Sequence, residues 1–515
     1  MNFLERGIAV VAPQWAAKRM RAKVQVLGYE AAMPTHLRKN KSERRSGNQA
    51  VQMGGKTLRE QARYLDENHD MVIGIFDKLE ERIVGAEGIM VEPQPLNTDG
   101  QVHQEFANEL RRRWASWSLK PEVTGMFSRP ELERLVLRTG VRDGECFGQL
   151  VRGHVAGLKH PNPNGTQFSI EALEPDFVPI KDDLSDKVRQ GIQVNAWGQP
   201  TGYKVFYQHP SDQAGFAFKT KTVSAENMLH LAFRRRLHQL RGVTLIHGII
   251  NRLNDIKDYE EAERVAARIA ACLGFYIKKN NVEPDELDDY SSPDKRTHVD
   301  IAPGMVYDDL QPGEDLGMVS SNRPNVHLSE FRNGQVRMVA AGSRSQYSSV
   351  ARDYNGTYSA QRQELVESWE GFAVMQNWFV SSWSRPVYRA WLEMEMLNGL
   401  VVPADLDMKT LFDAVYLAPV MPWINPVHET TAWKERVKGG AASTAQWIRA
   451  GNKNPVETWR QIADERKYFR DNDLEFDTLT KGENSDQTQP KPDPNEDDDE
   501  SGRRNSDDPD GTFEA

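Results

Sequence analysis

At 515 residues the chain is long enough for about three domains with large cores. Its mean hydropathy of −0.66 and the lack of any apolar run near the roughly 18 residues that cross a bilayer exclude a transmembrane helix, and the N-terminal GIAVVAP is too short and wrongly flanked for a secretory signal. The two cysteines, Cys146 and Cys272, lie far apart without metal-ligand spacing; this excludes a disulfide framework and reads as reduced, buried thiols of a cytosolic protein.

A net charge of −10 conceals a marked asymmetry. Residues 18–45 hold nine Lys/Arg (Lys18, Arg19, Arg21, Lys23, Arg38, Lys39, Lys41, Arg44, Arg45) against two Glu, a basic arm that is either solvated or able to touch phosphate. Next, Ala50–Thr57 (AVQMGGKT) satisfies a relaxed phosphate-loop pattern, and VIGIFD ending at Asp77 faintly resembles its acidic partner strand. The context is wrong. KSERRSGNQ before the glycines is no core strand, and Met71–Asp77 falls within a helical pattern, so nucleotide hydrolysis by Lys56 is set aside. Periodicity predicts two helices over 57–84 joined near Asn68-His69, then helices over 104–117 and 130–142. Strands are expected near 146–152, 167–174, 190–196 and 203–207, making an α+β, helix-rich body. His69, His154, His160 and His247 have no metal-ligand partners at short spacing, and no catalytic motif stands out, so neither a metal nor any other cofactor is expected. Phe233–Arg236 is cationic enough for nucleic acid, but its place between strand-like LHLAF and a turn favours structural ion pairing.

From Thr244 to Leu273, apolar residues step by three or four, predicting an amphipathic helix of roughly 45 Å. Phe275–Asn322 has strand-like FYIKK and MVY around an acidic DELDD turn and reads as an inserted module. A second helix follows over 326–343, weakened at Asn333-Gly334, and then the polar stretch SRSQYSSVARDYNGTYSAQR, which neither packs a core nor alternates as a strand. Beyond it, Leu365, Trp369, Phe372, Phe379, Trp383 and Trp391 recur at helical spacing with a kink expected at Pro386; Trp369, Trp378, Trp383 and Trp391 are read as core or interface residues rather than base-stacking ones. Residues 430–450 and 453–472 read as helices, the second started by Asn454-Pro455. Residues 481–515 carry twelve Asp/Glu against four Lys/Arg and are expected to be a disordered acidic tail.

Three blocks carry a family likeness. VRMVAAGSRSQYSSVARDYNGTYSAQRQELVESWEGF, FRRRLHQLRGVTLIHGIINRLNDIKDYEEAERVAARIAACLGFYIKK and RYLDENHDMVIGIFDKLEERIVGAEGIMVEPQP resemble, in the right order, the portal proteins of lambda-type tailed bacteriophages, while Ser349–Arg352 and Gln361 depart from the family's spelling. The resemblance implies a portal fold with wing, stem, clip and crown that assembles as a cyclic ring, twelve-membered in the family. Mapped onto this chain it gives a basic arm (1–54), a wing (55–243), a first stem helix (244–274), a clip (275–323), a second stem helix (324–344), a channel or tunnel loop (345–357), a kinked wing helix and following segment (358–429), crown helices (430–478) and an acidic tail (479–515).

By the same resemblance the ring sits at the portal vertex of the virion after assembly in the host cytoplasm. It conducts double-stranded DNA without sequence preference, and its partners are the terminase large subunit, the head-tail adaptor, and the major capsid and scaffolding proteins; no membrane and no catalysis are implied. Residues that face moving DNA must tolerate it without holding it, which favours a few cations tempered by acids and hydroxyls. Arg332, Arg337, Arg344 and Arg352 are the expected soft phosphate contacts, with Tyr354, Asn355 and Tyr358 as polar contacts or a steric gate. The competing reading pairs these arginines with Glu330, Asp353 or Glu364. The alternative function is a structural capsid or tail-adaptor ring that never carries DNA.

Overall fold

The computed structural model describes residues 12–15, 17–19, 42–182, 187–212, 219–271, 275–279, 314–318, 328–422, 426–451, 453–472 and 474. Most of the expected clip, its strand-like MVY, the acidic tail, Cys272 and the middle of the basic arm lie outside the described residues. The chain divides into two compact units, Met1–Arg436 and Val437–Ala515.

The first unit opens with α1 (Gly47–Asn68), fixed at its start by a capping box in which Ser46 Oγ accepts from the Gln49 amide and Gln49 returns its side chain to the Ser46 amide. His69 ends α1 and begins α2 (Asp70–Ile83); its ring is buried, with Nε2 3.2 Å from the Leu253 carbonyl. The break predicted near Asn68-His69 is therefore an extended residue pinned from outside. After β1 (Met90–Pro93) come α3 (Gln104–Trp117) and α4 (Arg129–Arg142), the latter set by a Ser128–Glu131 capping box with Pro130 in its first turn. Antiparallel strands β2 (Glu145–Arg152), β3 (Phe168–Leu173) and β8 (Met228–Ala232) form a sheet in the order β3-β2-β8. Between the last two, β4 (Val188–Arg189), β5 (Ile192–Val194), β6 (Pro200–Phe206) and β7 (Thr220–Ser224) form a four-stranded antiparallel sheet in sequence order.

A carboxylate with no solvent exposure sits where these layers meet. Glu145 accepts from Arg241 Nε at 2.8 Å, the Gly242 amide at 2.9 Å and His230 Nε2 at 3.0 Å, with Arg59 Nη2 at 3.4 Å. The ionic chain continues through Asp176, Arg63, Asp143, Arg142 and Asp66 to Arg138, which also meets Asp77 and Glu80, tying α1 and α2 to α4. Burial alone would raise the Glu145 carboxyl, yet Arg241, the His230 hydrogen bond and Arg59 hold it well below the ordinary range. Beside it the backbone crosses itself tightly: a Cβ on Gly242 would lie 1.9 Å from the Gly144 carbonyl oxygen, and Gly144 itself has φ +92°.

The long helix predicted from Thr244 begins later. Thr244 turns its hydroxyl onto the Ile246 amide, Leu245–Gly248 forms a 3-10 turn, and α5 runs Ile250–Ala271, about 33 Å rather than 45 Å over its described length. Strands β9 (Phe275–Lys279) and β10 (Glu314–Met318) pair antiparallel, the first as its FYIKK sequence predicts and the second without a clear alternating signal. α6 (Leu328–Ser343) continues through Asn333-Gly334 without interruption, because Val336, Val339 and Ala340 are buried on the other side.

The expected 345–357 loop is not irregular throughout: Tyr347–Ala351 forms a short helix, α7, with Val350 packed on the main core. The tryptophan-rich segment is α8 (Tyr358–Phe379), a π-helical turn at Val380–Ser384, and α9 (Arg385–Leu397). The irregularity thus precedes Pro386 instead of falling on it, as expected where the proline ring conflicts with the carbonyl four residues back. Trp383 and Trp391 are fully buried in the main core, and Trp369 and Trp378 pack against it. β11 (Ala414–Leu417) returns to pair with β1.

α10 (Pro426–Lys438) crosses the division between the units. In the second unit, the single helix expected over 430–450 is interrupted: Gly440 adopts φ +72°, and a Ser443–Gln446 capping box starts α11 (Thr444–Ala450). α12 (Pro455–Asp471) begins at Asn454-Pro455 as predicted, with Asn454 Oδ1 accepting from the Val456 and Glu457 amides.

Candidate nucleic-acid interface

α5 and α6 run antiparallel. Arg252 Nη1 donates to Gln335 Oε1, Tyr259 meets Phe331 edge-on at 5.1 Å, and Arg332 Nε lies 2.6 Å from Glu260 Oε1. Arg332 is therefore tied within the chain, to an acid on α5 rather than to Glu330, Asp353 or Glu364. No local pattern pointed to Glu260, which lies on the other helix.

At the end of α6, Arg344 takes the left-handed position (φ 58°) that closes the helix, and the Ser345 amide reaches back to the Ala340 carbonyl at 3.0 Å. The Arg344 guanidinium lies 5.3 Å over the Phe233 ring, whose other neighbours are Trp378, edge-on at 5.9 Å, and Arg235. Arg337 is exposed and stacks 5.2 Å over Tyr347. Tyr347 donates its hydroxyl to Asp353 Oδ2 at 3.3 Å; partial burial and the Asp353 charge push its ionisation upward. The Ser348 amide donates to Glu364 Oε1 at 3.2 Å. Asp353 and Glu364, offered as arginine partners, instead brace the short helix.

The remaining candidates form the exposed part of the segment, where Arg362 Nη1 donates to the Tyr358 hydroxyl at 3.4 Å. Arg352 is exposed in the left-handed conformation (φ 53°); its amide donates to the Ser348 carbonyl, and its guanidinium has no hydrogen-bond or ion-pair partner among the described residues. Tyr354 and Tyr358 are each more than half exposed. The Tyr354 carbonyl accepts from Gln361 Nε2, and the Asn355 backbone amide donates to Asp353 Oδ1 at 3.2 Å, with Asn355 exposed. Thr357 caps α8 through the Ala360 amide at 3.4 Å. The structure brings Arg352, Tyr354, Asn355 and Tyr358 into one exposed turn. Arg337 and Arg344 stand at its root, and Arg332 is held away on the α5 side.

Other sequence features take definite places. Ala50–Thr57 lies wholly inside α1, where helical hydrogen bonds engage the backbone N–H groups that a phosphate cradle would need; Lys56 lies 3.7 Å from Glu60 and Asp77 is paired with Arg138. Among the described residues Phe233–Arg236 forms none of the expected ion pairs: Arg234 donates to the Leu240 carbonyl and His230 Nδ1, and Arg236 to the Arg45 carbonyl. Glu174, Asp176 and His209 offer ligand atoms within 4.8 Å of one another, but Arg63 Nη2 lies 2.6 Å from Asp176 and 3.4 Å from Glu174, so the carboxylates already face a cation. Cys146 is buried, and burial pushes its thiol up, away from the reactive range. Among the described residues no helix is long and apolar enough to cross a membrane.

The pattern described as "Phage portal protein, lambda family" matches residues 34–376. The chain is 24% identical over 426 residues, 80% of each sequence, to the probable portal protein of Halomonas phage phiHAP-1. It is 19% identical over 322 residues, 58% of this chain and 60% of the relative, to portal protein B of Escherichia phage lambda. Among solved structures, a chain in the virion of a native gene transfer agent particle aligns with a TM-score of 0.45 and 10% identity, over 79% of this chain and 99% of that one. A chain from the neck of the empty particle aligns over 78% and 94% with a TM-score of 0.44.

Proposed function

Because the chain belongs to the lambda family of phage portal proteins, we propose that residues 345–357 face double-stranded DNA in the channel of a ring built from copies of this chain. A portal subunit serves DNA packaging and belongs to the symmetric assembly in the particle neck. In the finer reading, α5 and α6 are the stem, β9 and β10 belong to the clip, α8 to α9 form the wing helix, and α11 and α12 belong to the crown. The ring has twelve members, stands at the portal vertex, passes DNA inward and outward, and docks the terminase large subunit and later the head-tail adaptor, with capsid and scaffolding proteins around it.

The observation that carries the channel assignment is the exposed turn itself. It offers one unpaired guanidinium (Arg352), two phenols (Tyr354, Tyr358) and an amide (Asn355), and both of its ends are fixed, through Arg344 on Phe233 and Thr357 on α8. Such a surface can touch phosphates briefly. It has too few cations to hold a duplex by counterion release, and it has no element shaped to enter a groove and read bases.

The test replaces Arg352, Tyr354, Asn355 and Tyr358 together by alanine and follows ring formation by electron microscopy and DNA packaging in particles. Rings of wild-type appearance with packaging or DNA retention reduced tenfold or more are expected. Unchanged packaging would remove the turn from the channel, and loss of rings would make it an assembly element instead.

A further inference from the structure

Two arginine triplets in the chain have opposite surroundings. In α3, Arg112 and Arg113 are paired with Glu109, and Arg113 also reaches Glu395. In the turn after β8, none of Arg234, Arg235 and Arg236 forms an ion pair among the described residues. Arg234 commits its donors to the Leu240 carbonyl and His230, and Arg236 gives Nη1 to the Arg45 carbonyl at 2.8 Å. Arg235 lies 5.9 Å over the Phe233 ring, which Arg344 also covers at 5.3 Å. A guanidinium on an aromatic face keeps its fork of N–H donors at the rim. Arg235, Arg236 and Arg344 are all exposed, so three positive charges gather here with most of their donors unused. Acids on neighbouring segments are already engaged: Glu43 accepts from Arg45 Nε at 2.8 Å, and Asp182 from the Gln190 amide at 2.8 Å.

The backbone beneath these charges is held from both sides. Buried Gln239 accepts from the Arg235 and Arg236 amides at 3.2 and 3.3 Å and donates to the Arg241 carbonyl at 2.8 Å. Asn48 of α1 donates to the His238 carbonyl at 3.0 Å and accepts from the Leu240 amide at 2.8 Å. Together they fix His238 at φ 62°, a conformation that residues other than glycine seldom adopt. The start of α1 abuts the turn, since a Cβ on Gly47 would lie 3.4 Å from that of Arg236, and the positive end of the helix dipole adds to the field. Such a turn is preorganised for an anion. Because Gln239 occupies two of its amides, the contact falls to the guanidinium groups.

The anion that suits them is a row of phosphates. Duplex DNA presents one negative charge per roughly 1.7 Å of its axis, dense enough to meet several guanidinium groups at once. Arg344 also closes α6 directly before the exposed turn, so the cationic surface is continuous with the root of that turn. Leu237, 91% exposed, is the single apolar side chain from 234 to 238, too little to seat a protein partner. We propose that Arg235, Arg236 and Arg344 form a second contact for the phosphodiester backbone of duplex DNA. The assignment rests on the reading that the exposed turn faces DNA, and it supplies the cations that turn lacks.

Fluorescence anisotropy of a labelled duplex with the full chain, over a range of salt, tests it, with rings counted by electron microscopy. One variant joins Arg235→Gln to Arg236→Gln, and a second joins Arg235→Lys to Arg236→Lys. The glutamine pair should form rings as wild type does, bind DNA at least tenfold more weakly at low salt, and show a salt slope lower by about two units. The lysine pair should keep a slope near that of wild type, because the charges remain. A slope lost equally in both pairs would make these arginines structural and overturn the contact. Wild-type DNA binding in the glutamine pair would also overturn it, and loss of polyglutamate binding in that variant would then give the surface to an acidic protein. If the four-alanine variant of the exposed turn still lowers DNA retention in that case, the channel reading stands; wild-type rings that bind no duplex at low salt would overturn both.

Discussion

His230 shows how a single side chain can set an acid limit. Arginine can only donate, so the contact from Arg234 Nη2 at 3.1 Å requires a lone pair on Nδ1, and Nε2 carries the proton given to Glu145. Burial, opposed by the Glu145 hydrogen bond and charge, lowers the imidazole to about 4 from 6.5. A group kept neutral in the fold but protonated in the open chain contributes stability above pH 6.5 that is lost as pH falls towards 4. The loss is on the order of 3 kcal/mol. Glu145 adds its own loss only below its ordinary range near 4.5, while the Glu133 and Glu80 carboxyls, raised by burial, act above that range with the opposite sign, so the histidine contribution is the difference between wild type and His230→Gln from pH 6.5 to 4.5. His230→Gln should flatten that window; an unchanged slope would assign the acid sensitivity to another group. Truncating Arg241 to alanine should cost roughly 3–5 kcal/mol in denaturant unfolding, because Glu145 remains buried without its closest cation. A loss under about 1 kcal/mol would mean water or Arg59 replaces it. None of this was legible in the sequence, since Glu145, His230 and Arg241 are far apart in the chain and meet only through the β2–β8 pairing and the Gly144–Gly242 crossing.

At the scale of elements, local signals succeeded where the determinant was local. The apolar periodicity of α3 and α4 and Asn454-Pro455 before α12 mark those helices from within their own sequence, whereas the capping box at Ser46 starts α1 at Gly47, well before the expected residue 57 and inside the segment read as a basic arm. Sequence reading failed where distant packing decides: buried residues carry α6 through Asn333-Gly334, and Val350 on the core makes part of the expected loop helical; at Thr244 it missed a local signal, the hydroxyl that caps a 3-10 turn and delays α5. The Trp383 contact offers a measurement at this scale. A Cβ on Gly148 would fall 2.6 Å from the Trp383 ring, so Gly148→Ala overpacks the junction of β2 with the π turn and should cost about 1–3 kcal/mol in thermal or denaturant unfolding. Unchanged stability would mean the indole can shift, and the close contact is not a constraint.

For the whole molecule, the family was legible because its signature lies in order and spacing across most of the chain, and the match over residues 34–376 rests on the same stretch. The candidate channel residues were legible only as a group. Composition marks the polar turn, but the single arginine already tied to Glu260 and the two stacked on Tyr347 and Phe233 cannot be told from Arg352 without the packing of α5, α6 and α8. Retention of short duplex DNA by rings should accordingly fall with salt and be indifferent to base sequence, and Arg352→Ala should reduce the salt slope by about one unit. A strong sequence preference would require a different interface. The π turn at Val380–Ser384 has a consequence of another kind. Such a turn holds one residue more than a regular α-helix, in effect an insertion absorbed without breaking the rod. Deleting a single residue there would restore ordinary helical winding but turn the arm that leads back to Tyr358 by about 100° relative to α9. The exposed turn at residues 352–358 would then point elsewhere although every one of its residues was unchanged, and a compensating single-residue insertion in α8 would bring it back into phase.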